Sequence, residues 1–291
     1  MRIGATEGTV LGRYRNFYGL GYVAHRVIPV STGDSYEVNE FSCNGTTHGY
    51  QCAQGEWKGM TPTVYYAEHA GGLPVLNHPK YLRREPLRVA LCGMGIGTLA
   101  AYSRQGDFYR FYEINPAVVE FARNARYFSF LGGASGEVDV VVDDARRALE
   151  RERANGETKY DVMIVDVFTG DSIPAHMATR EAFQLYLDRL ASGGIMAFHI
   201  SNWHLDLIPM VKAVAREFGL DLEVLQCCPT RYSFQSTWAF FSREKLPTDL
   251  FNPDRHHRVD LNVVPDLPVM TDDFHSVLPY IVSPFGLTEE N

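Results

Sequence analysis

The pattern Gly93-Met94-Gly95-Ile96-Gly97 follows an apolar run, Leu87 to Cys92. Glycines at such a turn let the chain bend tightly and bring backbone N–H groups close to a ligand. Alone, this turn occurs in dinucleotide enzymes, in methyl-donor enzymes and by chance. Glu113 lies 16 residues past Gly97, at the end of a second apolar run, Phe108 to Glu113. An ionised carboxylate is acceptor-only, so one placed there can hold both hydroxyls of a ribose. The plain alternative is a solvated strand-end acid. Asp143-Asp144 follow a third run, Val138 to Val142. An Asp there can accept the exocyclic amine of adenine, or cap a helix starting at Ala145, and Asp144 can do both. Thr98 follows Gly97 where a dinucleotide fingerprint would continue toward a third spaced glycine. The acids after the second and third runs suit an adenosine lying across three strand ends. Together these residues describe a pocket for S-adenosylmethionine or a derivative.

A second group of acids belongs to a reactive end. Asp166-Val167-Phe168-Thr169-Gly170-Asp171 puts two carboxylates five residues apart after a fourth run, Tyr160 to Asp166. The tail adds Thr271-Asp272-Asp273-Phe274. Such acids can be helix caps or solvated loop residues. They also suit chemistry on an amine. An alkylammonium with a pKa of about 10.4 is no nucleophile at pH 7, and freeing its lone pair costs about 4 to 5 kcal/mol. A carboxylate can accept that proton as the amine attacks. A carbon next to a sulfonium already bears a good leaving group, so alignment in line is the main task left.

The elements that must carry these residues read as strands alternating with helices from Leu87 onward. Thr98 to Ser103 can start a helix, Pro116 suits the first turn of one running to Arg126, and Ala145 to Arg153 and Arg180 to Ala191 continue the pattern. Gly193-Gly194 end the last of these before a strand at Ile195 to Ile200. A helix over Leu205 to Phe218 and strands at Leu222 to Gln226 and Thr237 to Phe241 follow. Helical crossovers imply a Rossmann-like open parallel sheet, an α/β fold of the methyltransferase-like kind. In such a sheet ligands bind beyond the carboxyl ends of the strands, where all these acids fall. Residues 15 to about 80 look β-rich, with a strand at Tyr22 to Val30 and turns at Ser31 to Ser35 and Asn44-Gly45. The expectation is a small N-terminal β-hairpin domain over 1–82 and a nucleoside-binding domain over 83–291, whose Pro- and Asp-rich tail wraps the sheet.

Composition narrows the partners. The 291 residues carry a formal charge of -8 and 45% hydrophobic residues, which is ordinary for a globular chain. That balance argues against nonspecific nucleic-acid binding. No apolar stretch is long enough to span a bilayer, and the first residues lack a signal-peptide core, so a soluble, cytoplasmic chain is expected. Cys43, Cys52, Cys92, Cys227 and Cys228 form no CxxC pair, and none of the ten histidines has HExxH spacing. Structural thiols and no metal are expected, with His256-His257 in a polar loop. His48, His69, His176 and His199 either line the pocket or are buried and hydrogen-bonded. Phe168 and Trp203 either pack on a ligand or belong to the core.

These stretches resemble the spermidine synthase (polyamine aminopropyltransferase) family, most of all the spermidine-synthase-like domains fused to membrane transporter segments. The resemblance rests on Gly93 to Tyr102, Tyr112-Glu113-Ile114-Asn115-Pro116, Tyr160 to Asp166 and Ala197 to Asn202. Arg15 to Gly19 and Gly45 to Gln51 add to it in the hairpin domain. It implies transfer of an aminopropyl group from decarboxylated S-adenosylmethionine to an amine, releasing 5′-methylthioadenosine. It also implies Glu113 on the ribose, Asp144 on the adenine, Asp166 as base and amine anchor with Asp171 as a second acid, Tyr66 near the acceptor and Gln51 on the donor. The chain departs from the family where Ile96 replaces an Asp that holds the donor's amino end. It departs again at Ala67, at the longer Asp166-to-Asp171 spacer, and at Gln235-Ser236-Thr237-Trp238. Intact S-adenosylmethionine in a methyl transfer or other sulfonium alkylation is therefore the second reading, and a noncatalytic nucleoside sensor the third. Exposed hairpins suggest a homodimer. A membrane segment is expected only if the chain is part of a longer fused protein, which its abrupt start at Met1 would fit.

Overall fold

The computed structural model describes residues 8–29, 35–54, 59–168 and 173–281. Strands β1 (Thr9–Asn16), β2 (Gly19–Pro29), β3 (Ser35–Cys43) and β4 (Thr46–Cys52) form an antiparallel meander in that order. The Asn44-Gly45 turn behaves as its composition predicts. Both residues take positive φ, 50° and 85°, and Cys43 pairs directly with Thr46 across a two-residue loop. Such a turn matches the twist of the flanking strands. Ser35, expected in a turn, instead opens β3, and Val30 to Asp34 lie outside the described residues.

Two short helices, α1 (Leu73–Leu76) and α2 (Pro79–Leu82), lead into the larger sheet. That sheet contains β5 (Arg88–Cys92), β6 (Phe108–Glu113), β7 (Glu137–Val142), β8 (Tyr160–Val165), β9 (Leu190–His199), β10 (Asp221–Cys227), β11 (Ser236–Ser242) and β12 (His256–Arg258). Helices α3 (Pro116–Arg123), α4 (Ala145–Ala154), α5 (Arg180–Arg189) and α6 (Ile208–Phe218) connect them. The strand order is β12-β10-β11-β9-β8-β5-β6-β7. The five strands from β9 to β7 are parallel, and β11, β10 and β12 continue antiparallel. The chain moves outward from β5 through β6 to β7, then returns to β8 on β5's other side. The switch point thus lies between β5 and β8, where their carboxyl ends leave a crevice.

Alternate residues of the central strands bury against opposite layers. Ala90, Cys92, Met163, Val165, Met196 and Phe198 pack with α4, α5 and α6. Val89, Leu91, Val162, Ile164, Ile195 and Ala197 pack with Trp238, Leu73 and the α3 side. All six residues of β8 are buried, as a central parallel strand requires.

Several boundaries differ from expectation. Thr98 to Tyr102 forms one 3-10 turn instead of a full helix. The Gly193-Gly194 pair does not end α5. The strand begins at Leu190, and the glycines sit where its register on β8 shifts. His256 is not in a polar loop but 2% exposed on the three-residue edge strand β12, paired with Cys227.

The small sheet and the large one share a core. Val23, Phe41 and Cys43 bury against Ile96, Val118, Phe128 and Phe130. Gly49 must be small there, because a Cβ would come within 2.9 Å of the Ile96 side chain. Ile96 is therefore seam packing and lines neither cavity of the site described below. Ile96→Asp would bury an unpaired carboxylate in this seam, so we expect a loss of about 3 kcal/mol or more in urea unfolding at pH 7. Ile96→Val should cost about 1 kcal/mol. Equal stability for wild type and Ile96→Asp would contradict the packing described.

Candidate active site

Two cavities meet at the switch point. The first is lined by Gly93, Met94 and Gly95 after β5, by Glu113 after β6, by Asp144 after β7 and by Tyr14, Phe41 and Cys43 from the small sheet. The second is lined by Thr46 and Thr47, Tyr65, His199 and Ser201, Trp203 and Thr237. His48, Tyr66, Asp166 and Phe168 line both.

The glycine turn is dictated by neighbours. Gly93 has φ 89°, and a Cβ on it would lie 2.0 Å from the Asp166 carbonyl oxygen. Only glycine lets β5 and β8 end so close together. Gly97 caps the 3-10 turn and packs against Leu131, outside the cavity lining.

Glu113 turns inward at the end of β6. One of its oxygens accepts the Met94 N–H at 3.2 Å, and the other accepts the Asn115 N–H at 2.9 Å. Burial pushes its carboxyl up to about 7, against the pull of those backbone donors. Each oxygen keeps a further lone pair for a ligand hydroxyl. Asp144 caps α4 by accepting the Arg147 N–H at 3.0 Å and meets His176 Nε2 at 3.0 Å, while still lining the first cavity. Asp143 does not join it. Its carboxylate pairs with Arg151, which holds its pKa below the usual range, and it lines neither cavity.

Asp166 lies where the two cavities meet. One oxygen accepts the Tyr66 hydroxyl at 2.6 Å and the other meets His199 Nδ1 at 2.9 Å. His199 Nε2 lies 2.8 Å from Ser201 Oγ, which in turn accepts the Thr237 N–H at 2.7 Å. The His199 ring stacks on the buried Trp238 ring at 4.4 Å and 17°. Burial alone would raise the Asp166 carboxyl. The charge and hydrogen bond of His199, with the Tyr66 hydroxyl, outweigh it and hold the pKa below the ordinary value. For Tyr66, burial and then Asp166 raise the phenol well above its usual range, so it stays a donor.

The structure separates other expected site residues from this centre. Gln51 holds a loop. Its amide N–H groups donate to Gly59 and to Ser129 Oγ at 2.5 and 2.8 Å, its oxygen accepts the Ser129 N–H, and it lines neither cavity. Asp171 lies outside the described residues, within 169–172. Asp272 is not at the reactive end. It accepts from Arg146 and from Thr179 Oγ1, and the Arg146 bond holds its carboxyl down at about 2, so the tail is clamped to the starts of α4 and α5. His69 is turned to the Cys228 carbonyl and lines neither cavity, whereas His48, His176 and His199 do line the site. Neither residue type by itself announces the pairing of His199 with Ser201. The two-residue spacing at the end of a strand, which puts both on one face, was its signal.

The fold is a Rossmann-like sheet of the methyltransferase type, joined to an N-terminal β-sheet that closes over its switch point. Solved spermidine synthases share this fold. It superposes on the crystal structure of spermidine synthase from Thermotoga maritima with a TM-score of 0.56 at 17% identity, over 95% of this chain and 85% of that one. It superposes on a spermidine synthase in complex with the transition state analogue AdoDATO with a TM-score of 0.58 at 18% identity, over 84% and 78%. In sequence it is 32% identical over 117 residues to a curated polyamine aminopropyltransferase of Vibrio vulnificus (strain CMCP6). That match takes in 38% of this chain and spans 37% of the relative's length. No family model matches the chain. The resemblance to the spermidine synthase family read from the motifs thus recurs in both sequence and fold.

His199→Ala removes the charge and the donor that hold Asp166 down but leaves its burial. We expect the Asp166 carboxyl, followed by carbon NMR, to move from below the ordinary carboxylate pKa of about 4 to above it. An unmoved titration would show that His199 does not set its ionisation.

Proposed function

We propose that this chain transfers an alkyl group, most simply aminopropyl, from decarboxylated S-adenosylmethionine to an amine and releases 5′-methylthioadenosine. The observation that carries the reading is the meeting of two cavities at one buried carboxylate. The first offers a glycine turn, Glu113 and Asp144, groups whose chemistry suits a ribose and an adenine. The second opens from the same Asp166 and is walled by Tyr65, Phe168 and Trp203. A donor in one and an amine in the other would face each other across Asp166, the arrangement an in-line displacement needs. The likeness to a spermidine synthase holding a transition state analogue supports the same reading.

Within it, Glu113 takes the ribose hydroxyls, Asp144 the adenine amine and Met94 and Gly95 the close backbone approach. Asp166, oriented by Tyr66 and His199, is the fixed anion that anchors the amine. Asp171 remains the second acid of this reading, while Asp143 has at most an auxiliary part and Gln51 a structural one. Ile96 favours a second reading, in which intact S-adenosylmethionine is the donor: the family's acid at that position is here an apolar seam residue.

The division into 1–82 and 83–291 is part of this proposal, supported by a first sheet that ends at Cys52 and a second that begins at Arg88. So is a homodimer, supported by the exposed Val10, Phe17 and Leu20 of the first hairpin, with the cytoplasm as its place. No described helix is long and apolar enough to cross a membrane.

Parallel calorimetric titrations with decarboxylated and intact S-adenosylmethionine, followed by an amine panel, test the reading. Preference for the decarboxylated donor with release of 5′-methylthioadenosine supports it. Preference for the intact donor supports the second reading, and binding without product across the panel would leave a nucleoside sensor. Asp166→Asn should lower turnover at least about 100-fold while changing nucleoside affinity less than about threefold. Because Glu113 titrates near 7, it loses its charge as pH falls. Affinity for 5′-methylthioadenosine should then drop about tenfold per pH unit below that value, and Glu113→Gln should flatten the profile. A flat wild-type profile would remove Glu113 from the ribose.

A further inference from the structure

Resting on the alkyl-transfer reading, we propose that His48 Nε2, and not the Asp166 carboxylate, takes the proton from the attacking amine. His48 lines both cavities, at their junction. Its Nε2 is buried and has no hydrogen-bond partner, while the ring also bonds the Cys43 backbone carbonyl. A buried polar atom left unpaired is costly, and one at the meeting point of two ligand cavities has a ready partner in the ligand.

The strand fixes where this ring goes. Thr47 donates its hydroxyl to the buried Glu40 at 2.6 Å, and Gly49 packs on Ile96. The ladder skips His48, with Ser42 opposite Thr47 and Phe41 opposite Gly49, so His48 is the extra residue of a β-bulge, a device that re-aims a side chain out of the strand's alternation. The Phe41 ring, 5.9 Å away, backs it.

Asp166 is the weaker candidate for the proton. Each of its oxygens already accepts a hydrogen bond, and its pKa is held below the ordinary carboxylate value. A group so stabilised as an anion is a good electrostatic anchor and a poor base. Burial lowers the His48 pKa, against the opposing pull of Asp166, so its lone pair is free at neutral pH. The titratable groups facing it are Asp166 from the end of β8, His199 from the end of β9 and Tyr66 from the segment before α1.

The step balances. The ammonium gives one proton to Nε2, and the lone pair so freed forms the N–C bond as the C–S bond breaks. Sulfur keeps the electron pair and leaves as a neutral thioether, and the product nitrogen carries one positive charge. The imidazolium passes its proton to solvent.

The test compares His48→Gln with Asp166→Asn in the full chain, with decarboxylated S-adenosylmethionine as donor and putrescine as acceptor. His48→Gln should bind 5′-methylthioadenosine within about threefold of wild type and lose at least about 100-fold in kcat at pH 7. Its kcat should rise about tenfold per pH unit toward pH 9, as solution supplies the free amine. Asp166→Asn, besides its loss of turnover, should raise KM for putrescine and, unlike His48→Gln, keep the wild-type slope. His48→Gln with the wild-type profile, or the steep profile appearing in Asp166→Asn alone, overturns the proposal. A second measurement does not need turnover. Nitrogen NMR of the ring should show His48 Nε2 unprotonated at pH 7 and shifting toward the protonated form when putrescine is added to the 5′-methylthioadenosine complex. A protonated Nε2 in the free protein, or no response to the amine, also overturns it. If wild type releases no 5′-methylthioadenosine while Nε2 responds to the amine, the alkyl-transfer reading has failed and the proton site has not.

Discussion

Asp166 must stay ionised while buried, and most of the site is built around that requirement. A carboxylate taken out of water without partners would simply take up a proton. Here the Tyr66 hydroxyl and the His199 ring each hold one oxygen. His199 is itself fixed by Ser201 on its far nitrogen and by the Trp238 ring beneath it. Ser201 is in turn held by the Thr237 backbone. The chain of constraint therefore runs from one carboxylate through β9 into β11, and the antiparallel extension of the sheet supports the anion at its centre.

The same carboxylate sets the geometry on its other side. The Asp166 N–H donates to the Cys92 carbonyl at 2.8 Å, which carries the β5–β8 ladder one residue past its strands. The Asp166 carbonyl then occupies the space a Gly93 side chain would fill. The glycine turn and Asp166 are thus coupled through backbone atoms, with no side chain able to rotate between them. The small sheet adds the third wall. Tyr66 and His48 reach the junction because Ile96 and Phe41 hold the two sheets in one core. A polar residue at 96 would weaken the seam that delivers them.

What could be read from the sequence follows from this construction. Gly93, Gly95, Glu113, Asp144 and Asp166 each follow an apolar run, and a parallel sheet brings the carboxyl ends of such runs to one crevice. Their convergence needed only the strand order. The hairpin turn at Asn44-Gly45 was legible because its two positive φ angles demand those residue types. Positions that depend on register were not legible. The β-bulge at His48 breaks the alternation of β4, so neither its place at the cavities nor the turn of Gln51 toward Ser129 could be counted off the strand. Asp143 and Asp144 are adjacent, and only one can turn inward while the other meets Arg151. Asp272 gave no local sign that Arg146, more than a hundred residues earlier, would claim it. The strand β12 is three residues long and has no period to detect.

The charge balance of an alkyl transfer then explains why an anchor and a base should be different residues. A sulfonium and an ammonium about 4 Å apart repel by about 4 kcal/mol at an effective dielectric of 20. A single fixed anion between them offsets that repulsion only while it keeps its charge. If Asp166 itself accepted the proton, the compensating anion would be lost while the sulfonium still carried its charge. A neutral imidazole beside a permanent carboxylate avoids this. The proton moves to His48, the anion persists, and the new imidazolium is formed next to the charge best placed to stabilise it. His48 is drawn toward its charged form by Asp166 and away from it by burial. Those opposing effects are what keep a base neutral before the reaction and receptive during it.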